Sequence, residues 1–163
     1  MNARRRPLES VRVLLVEDNA IVREVIERLL AGFGSHVTAV AGAAEALEAM
    51  RWARPDVLIS DITMPDEDGC SLIRKIRTLP SDRGGAIPAV CLTGRDAVED
   101  EARILRAGFQ GLLAKPVDAR RLVTMVTDMA AGRDARGEPH LALGPESPSG
   151  PLFTTRPQLC LII

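Results

Sequence analysis

The chain has 163 residues, of which 46% are hydrophobic and only 2% aromatic, so it can form one ordinary domain with an aliphatic core. Its formal net charge of −1 gives no global electrostatic case for binding nucleic acid or an anionic membrane surface. Cys70, Cys91 and Cys160 lack metal-type spacing, and neither a signal peptide nor a long apolar run is found, so we expect a cytoplasmic protein with reduced thiols and no membrane contact.

Short apolar runs alternate along the chain with amphipathic stretches of helical spacing. The predicted strands are residues 11–16, 36–40, 56–60, 89–92 and 110–114. A helix is predicted after each strand, and the residues expected on the buried helix faces are Val22, Val25, Ile26, Leu29, Leu30, Phe33, Leu47, Met50, Leu72, Ile73, Ile76, Val98, Ala102, Leu105, Leu122, Met125, Val126 and Met129. Strict strand–helix alternation predicts a parallel sheet covered on both faces. We therefore expect an α/β, flavodoxin-like doubly wound fold, with five parallel strands in the order 2-1-3-4-5 and five helices.

This pattern occupies residues 10–131. Residues 1–9 are expected to be a flexible N-terminal tail, and residues 81–88 a flexible loop. Residues 132–163 are rich in proline and glycine without helical period, so we expect a disordered C-terminal tail. Its apolar end at residues 159–163 is compatible with a docking peptide, although a terminus without function is the preferred interpretation.

Asp61 is the strongest candidate for a functional side chain. It ends the buried third strand, and Pro65 and Gly69 then break the chain into a loop. In an open parallel sheet, ligands bind at the carboxyl ends of the strands. Taken alone, a polar residue that merely ends a strand is the more frequent explanation. Glu17 and Asp18 strengthen the case because they follow the first strand, and two adjacent acids exceed what one helix cap requires.

Thr93 and Lys115 complete the constellation, since they end the fourth and fifth strands at the same edge. Three carboxylates about 5 Å apart repel by roughly 3 kcal/mol per pair at an effective dielectric near 20. A hard divalent cation relieves that repulsion, and Mg²⁺ prefers carboxylates, waters and a phosphate oxygen. A nucleophilic carboxylate beside a metal, a lysine and a hydroxyl indicates phosphoryl capture as an aspartyl-phosphate.

Short motifs occur in a fixed order along residues 10–131. They are Val-Leu-Leu-Val-Glu-Asp-Asn at 13–19, Gly at 42 with Glu-Ala-Leu at 45–47, Asp-Ile-Thr-Met-Pro at 61–65, Gly at 69, Leu-Thr-Gly at 92–94, Ala-Gly at 107–108 and Ala-Lys-Pro at 114–116. Each is weak alone, but together they make the chain resemble a receiver domain of the two-component response regulators. The acidic start and the glycine-containing loop before Pro88 are closest to receivers associated with hybrid histidine kinases.

The resemblance implies a role for each strand-end residue. Asp61 would accept a phosphoryl group from the phosphohistidine of a histidine kinase or a histidine phosphotransfer protein. Mg²⁺ would be held by Glu17, Asp18 and Asp61, helped by the backbone carbonyl of Thr63. The module would be a signalling domain and not an enzyme, acting through an unknown downstream protein or relaying the phosphoryl group.

The resemblance also implies that Thr93 and Lys115 bind the phosphoryl oxygens, that the Lys115–Pro116 bond is cis, and that the small Gly94 leaves room for the phosphoryl group. The chain departs from the family at Leu112, where a switching Tyr or Phe is usual. We therefore expect a monomer or weak dimer. We also expect no direct DNA binding, because the predicted tail is too short and too poor in helical pattern to form a DNA-binding segment.

Two alternatives belong to other classes of protein. A haloacid-dehalogenase-like phosphatase needs an acid two residues after its nucleophile, where this chain has Thr63. A phosphorylation-independent pseudo-receiver usually lacks one of the acids or the lysine, all of which are present here. Neither alternative is preferred.

Overall fold

The computed structural model describes residues 6–94 and 101–132. Within these residues, five strands and five helices alternate, and a 3₁₀ turn lies between the third helix and the fourth strand. The strands are β1 (Arg12–Val16), β2 (His36–Val40), β3 (Val57–Asp61), β4 (Ala89–Thr93) and β5 (Gly111–Ala114). The helices are α1 (Ala20–Gly32), α2 (Ala43–Ala53), α3 (Gly69–Arg77), α4 (Glu101–Ala107) and α5 (Ala119–Ala130), and the 3₁₀ turn is Ser81–Arg83.

All four strand pairings are parallel, and the order across the sheet is β2-β1-β3-β4-β5. This confirms the predicted flavodoxin-like α/β fold. Asp61 at the end of β3 is in register with Leu92 of β4, and Thr93 is in register with Ala114 at the end of β5. The ends of the three strands therefore lie at one edge of the sheet, as the site prediction requires.

The core has two apolar layers, one on each face of the sheet, because successive strand residues point in opposite directions. Leu14 and Leu58 belong to the layer that α2, α3 and α4 cover. Leu15 and Ile59 belong to the opposite layer, which α1 and α5 cover. Every residue of the central strand β3 is buried, as expected for a strand covered on both faces.

The predicted helix faces are wrong in two places. Val25 of α1 is 61% exposed, and Phe33, which follows the helix, is 36% exposed, because the sheet contacts a narrower stripe that contains Ile26 and Leu30. In α4, Leu105 and Ala102 are exposed, whereas the buried residues are Ile104 and Ala107. The expected α4 stripe started from Val98, and residues 95–100 lie outside the described part of the chain.

The N-terminal segment and the long loop also differ from expectation. Leu8, placed in a flexible tail, is fully buried, and its N–H donates to the Phe33 carbonyl at 3.1 Å. The loop expected to be flexible contains the 3₁₀ turn, and the Gly85 N–H closes it onto the Pro80 carbonyl at 3.1 Å. The predicted tail at 133–163, including Cys160, lies outside the described residues. Among the described helices, none is long and apolar enough to cross a membrane.

Candidate functional site

Three acidic side chains meet where β1 and β3 end. Glu17 is fully buried, Asp61 is 5% exposed, and Asp18 lies open to solvent. One carboxylate oxygen from each of these residues lies within 4.8 Å of the others. The fold therefore brings together the three acids that the sequence placed at this edge of the sheet.

Lys115 follows β5 and binds two of the three acids. Its Nζ lies 2.8 Å from Glu17 Oε2 and 3.0 Å from Asp61 Oδ2. Burial lowers the pKa of Lys115, but the hydrogen bonds and charges of Glu17 and Asp61 outweigh this effect, so the pKa is raised overall. The lysine therefore stays protonated and provides a fixed positive charge beside the Asp61 carboxylate.

Glu17 is the least satisfied member of the cluster. Burial raises its pKa, the negative charge of Asp61 raises it further, and Lys115 only partly opposes both. Although Lys115 Nζ is in ion-pair contact with Glu17 Oε2, that buried oxygen has no well-aligned hydrogen bond among the described residues. A buried acceptor without a full partner, within a set of hard oxygen donors, fits a hard cation such as Mg²⁺.

The turn after β1 leaves both of its acids available to the site. Asn19 caps α1, since its Oδ1 accepts the N–H groups of Ile21 and Val22 at 3.0 and 3.2 Å. The sequence left the cap open among Glu17, Asp18 and Asn19, and the structure assigns it to Asn19. Neither acid is therefore used as the cap.

Arg23 is a site-supporting residue that the sequence analysis missed. Its Nη1 donates to the backbone carbonyls of Glu17 and Asp18 at 2.6 and 3.1 Å, which fixes the acidic turn against α1. One signal was available, because a cation near a helix N-terminus is unfavourable for the helix dipole and needs a local partner.

The loop after Asp61 is held close to the strand that it leaves. The Gly69 N–H donates to the Ile62 carbonyl at 2.9 Å, and a Cβ on Gly69 would overlap the Asp61 carbonyl oxygen. The Thr63 N–H points toward Asp61 Oδ1 at 3.4 Å. Gly69 is thus the residue that lets α3 begin directly against the backbone of Asp61.

Thr93 and Gly94 form the third side of the site. Thr93 is 1% exposed, and its hydroxyl donates to the Gly94 carbonyl at 3.1 Å. Among the described residues, which do not include 95–100, a Cβ on Gly94 would meet nothing within 4 Å, so the space beside it is open on that side. The Lys115–Pro116 peptide bond is cis, as the resemblance implied.

The response regulator receiver domain is the family whose model matches this chain, over residues 13–127. The chain therefore belongs to the receiver domains of two-component signalling systems. This confirms the family that the sequence motifs indicated.

Curated relatives share one third or more of the aligned residues. An uncharacterised 14.6 kDa protein of Leptolyngbya boryana is 37% identical over 119 residues, which is 73% of this chain and 89% of that protein. The Regulator of RpoS of Escherichia coli K12 is 33% identical over 122 residues, 74% of this chain and 35% of that protein. Response regulator MprA of Mycobacterium ulcerans is 37% identical over 114 residues, 70% of this chain and 47% of that protein. The chain thus spans less than half the length of the last two relatives.

Solved structures with the same fold include a putative response regulator from Chloroflexus aurantiacus. It matches with a TM-score of 0.70 at 31% identity, covering 76% of this chain and 99% of that one. The receiver domain of a sensor histidine kinase from Pseudomonas aeruginosa PAO1 matches with a TM-score of 0.68 at 32% identity, covering 75% and 98%. In that second structure, a magnesium ion is coordinated in the active-site cleft.

Proposed function

We propose that this protein is the phosphoacceptor module of a two-component phosphorelay, with Asp61 as the residue that is phosphorylated. The observation that supports this most is the contact of Lys115 Nζ with both Glu17 and Asp61, beside a cluster of three carboxylates. A lysine with a purely structural role needs one ion-pair partner, whereas Lys115 contacts both the buried Glu17 and Asp61 at the end of β3. Transfer of phosphoryl to Asp61 would convert one of its two partners into a larger anion.

The proposed reaction uses the side chains that meet at this edge of the sheet. An Asp61 carboxylate oxygen attacks the phosphorus of a phosphohistidine, the P–N bond breaks, and the electron pair stays on the imidazole nitrogen of the donor. Glu17, Asp18, Asp61 and the Thr63 carbonyl would hold Mg²⁺, which when bound neutralises charge on the phosphoryl oxygens. Lys115 is placed to bind one phosphoryl oxygen.

Thr93 is proposed to bind a second phosphoryl oxygen by turning its hydroxyl away from the Gly94 carbonyl, which it now contacts at 3.1 Å. The open space beside Gly94 supports this assignment, because a phosphoryl group needs volume at this point. Since Thr93 is buried, its hydroxyl can gain a charge-assisted hydrogen bond that water does not compete for.

The partners and the location follow from this proposal. The donor would be a histidine kinase or a histidine phosphotransfer protein in the cytoplasm, and the signal would pass to a protein partner or onward by relay. DNA binding by this chain itself is not expected. Under this proposal the chain is a signalling domain, and its only hydrolytic activity would be slow loss of its own phosphoryl group.

The test is labelling with a small-molecule phosphodonor in the presence of Mg²⁺, read by intact mass. We expect the wild-type protein to gain one phosphoryl group and Asp61→Asn to gain none. Asp66→Asn is the matched control, because Asp66 is an exposed loop acid outside the cluster whose positive φ of 63° suits asparagine. Equal labelling of the Asp61→Asn protein, or labelling in excess chelator, would contradict the assignment. A protein that folds but never takes up label would instead be the pseudo-receiver.

A further inference from the structure

A cleft lies near the amino-terminal ends of the strands, away from the acidic site at their carboxyl ends. It has a volume of about 780 Å³ and is bounded by the C-terminal ends of α2 and α3 and by the 3₁₀ turn. Pro55, one of its lining residues, precedes β3, whereas Asp61 ends that strand. The cleft is therefore separated from the acidic site by the length of the central strand.

Positive charge is concentrated around this cleft. Its lining contains Arg51, Arg54, Lys75 and Arg83, but only one acid, Asp82. Lys75 is paired with Glu67 at 2.8 Å, whereas the side chains of the three arginines make no ion pair or hydrogen bond within residues 6–94 and 101–132. Because the whole chain has a net charge of −1, this is a local excess rather than a general property of the surface.

Arg54 occupies a backbone conformation that is unfavourable for arginine. It ends α2 with φ 44° and ψ 60°, in the left-handed region where glycine is the favoured residue. Arginine at such a position costs stability compared with glycine, and its side chain lines the cleft. The strained residue therefore points to a use for the cation.

The lining also contains an aliphatic part, alongside the polar residues Thr78 and Ser81. Leu47 and Leu79 are partly buried, and Met50 is buried. This combination of an aliphatic floor and cationic walls matches an amphipathic ligand better than a compact polyanion.

We propose that this cleft docks an acidic amphipathic segment of a protein partner. Aliphatic side chains of the segment pack on Leu47, Met50 and Leu79, and its carboxylates pair with the arginines of the walls. Because the cleft and Asp61 lie at opposite ends of the strands, docking does not depend on phosphorylation. A phosphodonor at Asp61 and this partner can bind at the same time.

The test uses a fluorescein-labelled helical peptide that presents Leu on one face and Glu on both flanks, with binding followed by anisotropy. We expect Arg51→Gln and Arg83→Gln each to weaken binding by about two- to fivefold, the range for exposed ion pairs. Arg54→Gly should weaken it similarly while relieving backbone strain, so a loss of binding is separable from a loss of folding. Rising salt should weaken binding.

The controls separate this cleft from general electrostatics. Arg120→Gln removes the same charge from α5, on the other face of the sheet, and should leave affinity unchanged. Asp61→Asn should also bind normally, so failure of the phosphoacceptor proposal would not imply failure here. Amide NMR shifts on peptide addition should map to residues 47–54 and 75–84.

Four results would overturn the proposal. They are equal binding of a peptide with Gln in place of Glu, an equal loss for Arg120→Gln, amide shifts elsewhere on the protein, and displacement of the peptide by far lower concentrations of inorganic tripolyphosphate. The last result would identify the cleft as a polyanion site instead.

Discussion

Lys115 decides the charge balance of the acidic site. At an effective dielectric near 20, a charge pair 3 Å apart attracts by about 5 kcal/mol, whereas carboxylates about 5 Å apart repel by about 3 kcal/mol. The gross attraction to Glu17 and Asp61 thus exceeds their repulsion, before the cost of burying all three groups. Three carboxylates and one ammonium still leave two negative charges, which one divalent cation matches.

Gly69 supports the backbone position of Asp61 through its lack of a side chain. We expect Gly69→Ala to lower the free energy of unfolding by about 1–3 kcal/mol, because its Cβ would overlap the Asp61 carbonyl oxygen. Phosphoryl labelling should slow as well, since the Asp61 backbone must shift. Gly32→Ala is the control: its Cβ would meet no atom of the described residues within 4 Å, and alanine at the last residue of α1 should stabilise by at most about 1 kcal/mol. Urea denaturation measures both values, and an unchanged Gly69→Ala protein would contradict this explanation.

At the residue scale, sequence could predict the side chains that follow strands, since parallel topology alone brings Asp61, Thr93 and Lys115 to one edge. It could not predict the role of Arg23. That role depends on a side chain folding back over its own helix start to reach two backbone carbonyls, and no spacing rule encodes such a conformation.

At the element scale, β1 and β3 are tied together where they begin. Asp56 accepts the Arg12 backbone N–H at 2.8 Å and two guanidinium N–H groups at 2.9 and 3.2 Å. Burial raises the pKa of Asp56, but the hydrogen bonds and charge of Arg12 outweigh it, so the pKa lies below its ordinary value. The contact therefore stabilises the fold only while Asp56 is ionised.

This contact should produce a pH dependence of stability. Because the folded pKa of Asp56 is below the unfolded value of about 3.9, its contribution is present above that value and lost as pH falls through the folded pKa. We expect Asp56→Asn to be less stable than wild type at pH 7, with the difference shrinking between about pH 5 and pH 2. Urea denaturation across this range is the measurement. Glu48→Gln, on the exposed face of α2, should leave the pH profile unchanged, and a parallel profile for Asp56→Asn would disprove the linkage.

Helix existence and strand order were predictable because apolar periodicity and βαβ alternation encode them strongly. The buried face of α4 was not. Ala102 is too small to fix the phase of an apolar stripe, and the arrangement of Ile104 and Ala107 is set by packing against the rest of the layer, not by local pattern. Val25 shows the converse, since a good apolar spacing is no guarantee of burial when the sheet contacts only a narrow stripe.

At the scale of the whole molecule, the limits of the folding unit can be tested by truncation. Removal of residues 1–9 should destabilise the protein by about 2–5 kcal/mol, because Leu8 is fully buried in the layer under α1. Removal of residues 1–5 alone should have little effect. Removal of residues 133–163 should leave the melting temperature and labelling nearly unchanged if the receiver ends near residue 131, as we propose. A large drop in melting temperature for this last truncation would place the boundary elsewhere.

Leu112 bears on how the whole molecule responds to phosphorylation. It lies in β5, in register with Cys91, and packs against the layer formed by α2, α3 and α4. If the Thr93 hydroxyl turns toward a phosphoryl group, as we propose, it would leave space near β5. An aromatic ring could swing into that space and change the exposed face, whereas leucine is shorter and exchanges less area between buried and exposed positions.

We therefore expect phosphorylation to change the α4–β5–α5 face little, and the protein to stay a monomer or a weak dimer. The measurement compares free and beryllofluoride-bound protein by amide NMR and by sedimentation. Leu112→Tyr is the informative variant, since a ring at this position should enlarge the shifts in α4, β5 and α5. Large shifts confined to those elements, with tight dimerisation of the wild-type protein, would show that leucine does not limit the response. Small shifts with retained phosphoryl uptake favour a relay role, in which the phosphoryl group itself is the signal.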